Sequence, residues 1–523
     1  MKSVHRLTAA LAVAACLFAA LPPAAAAGLP SRNVAWLTAA GDADIERAFA
    51  QARAQGKPLL LYWGASWCPP CNQLKATLFN RQDFAVQARS FVAVAVDGDL
   101  PGAQKLGQRF KVGGYPTLVI LSPAGQEITR LPGEVDAAQV IGLMQLGLAG
   151  GRPLKDVLAD ARAGKPLGAN EWRMLAFYSW ETDEDRLVPR AELGGLLAQL
   201  ALASPAADTE TTTRLWLKAL AASDDGKGVK PDAALRERVQ RVVADPALAR
   251  THFDVVANYA ADLVRVLAAD DAPERSPLVA QFDAALQRLA ADGTLSRGDR
   301  ASALGSRVEL ARLGLPKDEA KVTLPEALLK DVREHVARDD REIADPFERQ
   351  AVIPSDAWVL GQAGLWAESD ALLKSNLARS PSPYYLMSQL GSNAKKQGRP
   401  DEALRWHQQA WERSVGPATR LQWGTRYLGE LVELAPQDGA RIEKTAARLI
   451  AEAGRDSGAF EGRSARVLQR MGRKLGSWNA DGRHAAALKR LQAQMDGLCR
   501  KVDVPQRATC QGVLAPAGTG KAG

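Results

Sequence analysis

Two cysteines separated by two residues are the feature of this sequence most suited to chemistry. They lie in the segment Trp67-Cys68-Pro69-Pro70-Cys71. The chain has five cysteines in 523 residues, so a close pair carries more information than it would in a cysteine-rich secreted scaffold. Thiols at this spacing can close a disulfide and open it again by exchange with another thiol. The spacing therefore indicates a redox centre, and the alternatives are a structural disulfide or half of a zinc site.

The elements around this pair are predicted to place Cys68 at the start of a helix. Residues 59–63 form an apolar run typical of a buried strand, and a helical stretch follows from Asn72 to Phe79. At a helix N-terminus, unpaired backbone N–H groups and the helix dipole favour a thiolate, so we expect the pKa of Cys68 to lie below that of a free thiol. We therefore expect Cys68 to be an ionised, solvent-reachable nucleophile, with Cys71 one helical turn further along.

Residues 31–150 alternate between helical and strand patterns. A stretch with apolar residues at helical spacing begins after Gly41, and short apolar runs at 91–96 and 117–121 are typical of buried strands. A turn after the second run leads into a further strand, and a last helix is predicted over 136–148. This part of the chain is therefore expected to be an α/β unit.

These residues resemble a thioredoxin-family domain on two separate motifs. The first is the W-C-x-P-C form of the cysteine pair, and the second is Val112-Gly113-Gly114-Tyr115-Pro116-Thr117, which is similar to the family's cis-proline loop. The resemblance implies that Cys68 is the nucleophile and that Cys71 is the resolving thiol. It also implies a substrate-binding surface made of Trp67, Tyr115 and Pro116, which would pair with an incoming strand.

Some positions depart from the family's pattern. Tyr62 stands where cytosolic thioredoxins carry a buried Asp that assists proton transfer, so the resemblance does not extend to that relay. Pro69 and Pro70 stand where the isomerases carry a His, so we expect a more reducing pair than in an isomerase, within roughly −270 to −120 mV. The stretch from Lys57 to Phe79 resembles the periplasmic carboxy-terminal domain of the bacterial membrane disulfide reductase.

Residues 1–27 predict a cleaved secretory signal and, with it, a periplasmic location. Two basic residues precede an apolar run that is too short to span a membrane, and Ala25 and Ala27 fit the small-x-small cleavage rule. A lipoprotein signal, in which Cys16 would be lipidated and kept, is the alternative. Lys and Arg exceed Asp and Glu by 67 − 59 = 8, a surplus that indicates solubility and not nucleic-acid binding.

Residues 151–510 are predicted to form an all-α helical-repeat domain, because stretches rich in Ala, Leu, Arg and Glu replace the strand pattern. Gly364 and Gly398 lie 34 residues apart, and the segment 350–417 resembles tetratricopeptide repeats. An irregular α-solenoid is the alternative. Residues 511–523 are predicted to be a flexible tail.

Three further features are assigned structural roles. Cys499 and Cys510 are expected to form a structural disulfide in an oxidising compartment. A basic stretch is expected to be a solvated helix face: Arg463, Arg466, Arg470, Arg473 and Lys474. Five tryptophans are expected to pack between helices, with a peptide-binding groove as the alternative for one or two of them: Trp358, Trp366, Trp406, Trp411 and Trp423.

These features predict an extracytoplasmic thiol-disulfide oxidoreductase that reduces disulfides in secreted or periplasmic proteins. The expected electron donor is a membrane thiol carrier, and the helical domain is expected to bind a protein partner. We predict no cofactor and no metal site, because the five His residues are scattered along the chain. The alternatives are a tetratricopeptide-type scaffold that uses the thioredoxin-like domain as a docking surface, and a disulfide isomerase.

Overall fold

The computed structural model describes residues 31, 33–131, 133, 137–148, 151–180, 187–223, 228–316 and 319–515. The predicted signal segment, with Cys16, lies outside these ranges, as does most of the predicted tail. Within the described ranges, no helix combines the length and the apolar character that crossing a membrane requires.

A five-stranded mixed sheet forms the centre of the amino-terminal part. Its strands are β1 (Leu37–Thr38), β2 (Leu59–Gly64), β3 (Val92–Asp97), β4 (Thr117–Leu121) and β5 (Glu127–Leu131). They lie in the order β1-β3-β2-β4-β5; β1, β3 and β2 are parallel, and β4 is antiparallel to both β2 and β5. Every residue of β2 and β4 is buried, which explains why their sequences are almost unbroken apolar runs.

Helices cover both faces of this sheet: α1 (Asp42–Gln55), α2 (Pro69–Leu74), α3 (Gln82–Ala88), α4 (Ala103–Arg109) and α5 (Ala137–Leu148). Helices α1 and α4 pack on one face, and α3 and α5 pack on the other. The helix predicted from Asn72 begins earlier, at Pro69, and its last turn is a wider π-helical turn at Lys75–Phe79. The order of elements confirms the predicted α/β architecture.

Beyond α5 the described chain is helical, as predicted. The helices are α6 (Leu154–Arg162), α7 (Ala169–Ala176), α8 (Arg190–Ala203), α9 (Thr209–Ala221), α10 (Ala233–Ala244), α11 (Pro246–Thr251), α12 (Phe253–Leu267), α13 (Arg275–Ala291), α14 (Arg297–Ala311), α15 (Glu326–Glu342), α16 (Pro346–Gln362), α17 (Trp366–Asn376), α18 (Pro383–Lys396), α19 (Pro400–Arg413), α20 (Pro417–Leu434), α21 (Gly439–Ala453), α22 (Gly462–Trp478), α23 (Ala485–Cys499) and α24 (Val504–Gly512).

The segment with the internal spacing of 34 residues contains two helical hairpins. Helix α16 joins α17 through Gly364, at φ +79°, and α18 joins α19 through Gly398, at φ +70°. A left-handed backbone at the end of a helix strongly favours Gly, which explains why glycine recurs at this spacing.

The packing does not divide at residue 150. One hydrophobic core joins Leu60 and Ile120 of the sheet to Trp172 and Leu215 of the helical region. A second core joins the cysteine pair to apolar side chains of α18, α20, α21 and α22. The predicted boundary therefore marks a change in secondary structure but not in packing, because the helical region packs on the sheet and on the cysteine pair.

A disulfide between Cys499 and Cys510 ties α23 to α24, with the Cα atoms 5.6 Å apart. Both cysteines are buried, and α24 continues to Gly512, past the residue at which the flexible tail was predicted to begin. Val513 is buried as well, so the end of the described chain packs against the helical region.

We expect the double variant Cys499→Ser, Cys510→Ser to lose about 3 kcal/mol of unfolding free energy, because the bridge restricts the unfolded chain across a sequence separation of 11. Thiol-disulfide exchange at the Cys68–Cys71 pair should be unchanged. Urea unfolding measures the first effect, and a midpoint equal to that of the wild type would show that the bridge adds no stability.

Candidate active site

The junction between β2 and α2 positions the cysteine pair. Cys68 is the N-cap residue of α2, and the backbone N–H of Cys71 donates to Cys68 Sγ over 3.2 Å. The sulfur thus takes the place that a Ser or Asp oxygen usually has at a helix N-terminus. The two cysteines form a disulfide, with Cα atoms 5.2 Å apart. In the reduced state the same N–H group would stabilise a Cys68 thiolate.

The residues predicted to bind substrate lie next to this disulfide. The rings of Trp67 and Tyr115 have centroids 6.2 Å apart, and the Tyr115–Pro116 peptide bond is cis. The Tyr115 hydroxyl accepts a hydrogen bond from Gln104 Nε2 over 3.0 Å. Pro116 and Pro69 line the same cavity. The structure therefore brings together the two motifs that are distant in the sequence.

The helical region covers this site. Cys68 is 2% exposed, Cys71 is 0% exposed and Trp67 is 6% exposed. The Trp67 ring stacks on Tyr385 of α18, with centroids 6.2 Å apart, and meets Trp423 of α20 edge-on at 6.1 Å. The expectation that Cys68 is reachable from solvent is therefore wrong for this arrangement. Helix α16 packs on α2, with Gln350 Nε2 donating to the carbonyl of Trp67 over 3.1 Å, and α18 and α20 pack on the Trp67 ring.

Polar contacts hold the helical region against Trp67, the residue next to Cys68. We call the residues that make these contacts the Trp67 cluster: Trp67, Asp99, Thr419 and Arg463. Trp67 Nε1 donates to Thr419 Oγ1 over 2.8 Å and to Asp99 Oδ2 over 3.1 Å. The Thr419 hydroxyl donates to the other oxygen of Asp99. The Arg463 guanidinium lies over the Trp67 and Tyr115 rings, 4.7 and 4.9 Å from their centroids, in cation–π geometry.

The prediction that the basic stretch of α22 forms a solvated face is wrong for its first two arginines. The backbone N–H of Arg463 donates to Gln104 Oε1 over 2.9 Å, and Arg466 Nη2 donates to the carbonyl of Gly113 over 2.8 Å. With the Arg463 guanidinium over the Trp67 and Tyr115 rings, these contacts turn the first part of α22 toward the site. The remaining basic residues of the stretch are exposed: Arg470, Arg473 and Lys474.

Asp97 and Asp99 are residues of the site that the sequence analysis missed. Strands β2 and β3 are parallel neighbours, so their carboxyl ends meet at one edge of the sheet. The end of β2 leads to the cysteine pair, and the end of β3 leads to these two carboxylates. That shared edge is the signal that points to them. Gly98 lies between them because a Cβ there would overlap the Tyr115 hydroxyl. Tyr62 is buried, and its hydroxyl has no hydrogen-bond partner among the described residues.

Asp99 combines burial with a neighbouring like charge. Burial first, and then the charge of Asp97, raise the pKa of Asp99 to about 7 from its ordinary value of 3.8. Hydrogen bonds from Thr419 and Trp67 and the charge of Arg463 oppose this rise in the pKa. Because the folded pKa lies above the unfolded value, the folded state holds this proton more tightly, and stability falls as the pH rises between these two values.

We expect Asp99→Asn to be more stable than the wild type at pH 8, with a much smaller difference at pH 5. Asn keeps the size of the side chain but cannot ionise, and the pKa shift of Asp99 corresponds to on the order of a few kcal/mol. Thermal unfolding at the two pH values measures the effect. Asp271→Asn, which changes an exposed carboxylate, is the control, and a pH dependence of Asp99→Asn equal to that of the wild type would contradict this role of Asp99.

One buried group has the residue types of a metal site. The ligand atoms of His335, Asp339 and Asp356 lie within 4.8 Å of one another, although the sequence suggested only scattered His residues. Arg338 Nη2 lies 3.0 Å from His335 Nδ1, and a guanidinium can only donate, so Nδ1 accepts and Nε2 carries the proton. Nε2 lies 3.3 Å from Asp339 Oδ2. With this tautomer Nε2 has no lone pair for a cation. Among the described residues, Nε2, Asp339 Oδ2 and both carboxylate oxygens of Asp356 are buried without a hydrogen-bond partner.

Comparison with known proteins identifies relatives of the amino-terminal part. Residues 45–147 match the family model for a thioredoxin-like domain. Two thiol:disulfide interchange proteins of Pseudomonas aeruginosa, DsbD 2 and DsbD 1, are 34% identical over 111 residues and 33% identical over 122 residues. These matches cover 20% and 22% of this chain and 19% and 20% of the relatives, so the chain spans about a fifth of their length.

The family match and these two relatives define the class of the amino-terminal part. It is a thioredoxin-like domain that is similar to domains of thiol:disulfide interchange proteins, and it carries a bridged CxxC pair. Among solved structures, a thioredoxin from Thermus thermophilus matches 22% of this chain and 85% of its own chain, at 28% identity and a TM-score of 0.20.

Proposed function

We propose that this protein reduces disulfides in other extracytoplasmic proteins. The observation that carries the proposal is the Cys68–Cys71 disulfide at a helix N-terminus, beside cis-Pro116, in a thioredoxin-like domain. In the reduced protein, the Cys68 thiolate attacks a substrate disulfide; a bond from Cys68 to one substrate sulfur forms, and the other substrate sulfur leaves as a thiolate. Cys71 then attacks the Cys68 sulfur, which closes the bridge and releases the reduced substrate.

Each turnover leaves the pair oxidised, so the cycle needs a dithiol that returns two electrons. The relatives are named thiol:disulfide interchange proteins, and the stretch from Lys57 to Phe79 resembles the periplasmic domain of a membrane disulfide reductase. Both observations support a membrane thiol carrier as the donor. The predicted signal at residues 1–27, or a lipid anchor at Cys16, supports a location outside the cytoplasm.

The helical region has a partner-binding role in this proposal. The hairpins that turn at Gly364 and Gly398 support an assignment as tetratricopeptide-like pairs, whose stacked helices offer surfaces to other proteins. Helix α16 packs on α2, and α18 and α20 pack on Trp67, so exchange of the buried Cys68 with a protein disulfide requires this part of the helical region to move. Helices α16 and α18 therefore belong both to these hairpins and to the cover over the cysteine pair.

The test is thiol release from a disulfide-bonded protein after addition of the pre-reduced chain. We expect the wild type to reduce the target and Cys68→Ser to release no thiol above background. Cys499→Ser with Cys510→Ser is the control, because it removes the other bridge and keeps the CxxC pair. Equal rates with wild type and Cys68→Ser would overturn the proposal.

The burial of Cys68 also favours a second candidate, a scaffold that uses the thioredoxin-like domain only as a docking surface. A partner captured equally by wild type, Cys68→Ser and Cys71→Ala, without thiol release, would support it. A disulfide isomerase is the third alternative, and it would need paired active sites in a dimer. A monomer in light scattering would count against an isomerase.

A further inference from the structure

A groove of about 620 Å³ lies beside the cysteine pair, between the thioredoxin-like domain and helices α16, α18 and α20. This volume is in the range of pockets that hold small ligands. Trp67, Pro69 and Pro70 form one wall, so the groove borders the residues on both sides of Cys68. We propose, building on the function above, that it binds a short extended segment of the substrate polypeptide with an acidic residue near the cysteine to be reduced.

The hydrogen-bonding capacity of the groove is the first support. Four side chains that line it have a buried polar atom without a hydrogen-bond partner among the described residues: Ser388 Oγ, Gln389 Oε1, Gln422 Oε1 and Trp423 Nε1. Leaving such an atom unpaired costs about 1–3 kcal/mol. The four atoms are closed to solvent in this arrangement, so a bound segment would pair with them only after the side chains that line the groove shift. They comprise two acceptors, one donor and a hydroxyl that can do both, which suits peptide N–H and C=O groups.

The aromatic lining is the second support. Rings from both parts of the molecule face the groove, including three of the tryptophans that the sequence analysis singled out: Trp358, Trp366 and Trp423. Trp358 is 41% exposed, which is unusual for so large an apolar side chain outside a binding surface. Tryptophan and tyrosine rings give broad contact area at little entropic cost and are enriched where polypeptides are recognised.

The charge of the groove indicates which kind of substrate segment it binds. The charged side chains that line the groove are both basic, Lys396 near the end of α18 and Arg426 on α20, and both are exposed. Arg426 Nη2 donates to Ser392 Oγ over 2.8 Å, which fixes its position at the rim. No acidic side chain is among the described residues of the lining. A substrate segment with Asp or Glu is therefore favoured over one with Lys or Arg.

The position of the groove ties this selection to the chemistry. Cys68 lies between Trp67 and Pro69, and both of these neighbours line the groove. A cysteine at the end of a bound segment would therefore lie close to Cys68 once α18 and α20 move off the Trp67 ring. The groove then supplies orientation for the exchange step, and the Cys68 sulfur supplies the attack.

The experiment compares disulfide-linked peptides that are identical except for the residues beside cysteine, which are Glu, Ser or Lys. With the pre-reduced wild type, we expect kcat/KM for the Glu peptide to be about 10-fold above that for the Lys peptide. In the double variant Lys396→Glu, Arg426→Glu, this ratio should fall to about 1 or reverse. The matched control is Lys374→Glu, Arg405→Glu, which reverses two exposed charges outside the groove and should keep the preference.

The peptide series with the wild type measures the preference, and the charge reversal tests whether the groove sets it. Equal rates for the Glu and Lys peptides, or a preference that survives the charge reversal in a folded variant, would overturn this inference and leave the proposed function intact. If the pre-reduced wild type reduced none of the peptides and did not reduce glutathione disulfide, the proposed function would be overturned instead. Reduction of glutathione disulfide as fast as the Glu peptide would show a site for a small acidic disulfide and would refute recognition of a polypeptide segment.

Discussion

Replacement of Cys71 by Ala should convert a transient mixed disulfide into a species that can be isolated. Cys68 would still attack a substrate disulfide from the N-cap of α2, but the sulfur that releases the substrate in the second step would be missing. We expect covalent adducts to rise from undetectable in the wild type to a major fraction of the variant. Non-reducing electrophoresis followed by mass spectrometry measures the adduct and should locate it at Cys68.

Two further variants identify the sulfur that forms the adduct. The double variant Cys68→Ser, Cys71→Ala lacks the nucleophile. We expect its rate of exchange with a disulfide to be lower than that of Cys71→Ala by about 10³-fold or more. Cys499→Ser with Cys510→Ser, added to Cys71→Ala, should leave the yield at Cys68 unchanged. Adducts of equal yield without Cys68 would show that the exchanging thiol lies elsewhere in the chain.

Removal of two side chains of the Trp67 cluster should make Cys68 react faster with external reagents. A reagent must wait for the helical region to open, because Cys68 is 2% exposed while that region packs on α2 and Trp67. Thr419→Ala with Arg463→Ala removes a hydrogen bond to Trp67 and a cation–π contact, each worth about 1 kcal/mol. We expect the alkylation rate of the pre-reduced protein by a neutral haloacetamide to rise roughly 10- to 30-fold.

The pH dependence of this rate separates opening from a change in the thiol itself. A larger opening equilibrium raises the rate at every pH, whereas a lower thiol pKa moves the midpoint of the profile. Arg473→Ala removes an exposed charge from the same helix and is the control that should leave the rate unchanged. An alkylation rate of the double variant equal to that of the wild type would mean that the Trp67 cluster does not control access to Cys68.

Local patterns predicted much of the amino-terminal fold. The apolar run at 117–121 coincides with β4, and the run at 59–63 falls one residue short of the end of β2, because strands buried on both faces leave an unbroken apolar signature. Gly56 has φ +62°, a conformation that favours glycine, and it is the C-cap residue of α1. The π-helical turn after α2 was not predicted from such a pattern, and it places Phe79 in the hydrophobic core.

Local sequence patterns could not predict that the helical region covers the cysteine pair. Trp67 and Thr419 are separated by 352 residues, and neither residue has a local pattern that requires the other. Arg463 lies in a basic stretch whose composition suits a solvated face, and only the docking of α22 turns it toward Asp99 and Tyr115. Reactivity at a helix N-terminus is a local property, whereas exposure depends on the whole chain. For this reason the cysteine pair could be singled out from the sequence and its burial could not.

Titration of the Cys68–Cys71 couple in glutathione buffers, read by alkylation and mass spectrometry, shows whether this bridge is a redox centre. We expect one two-electron transition between roughly −270 and −180 mV, on the reducing side of an isomerase, while Cys499–Cys510 stays oxidised over the same range as a structural bridge. A Cys68–Cys71 bridge that also stays oxidised throughout would be structural, and an oxidoreductase function at this site would then be contradicted.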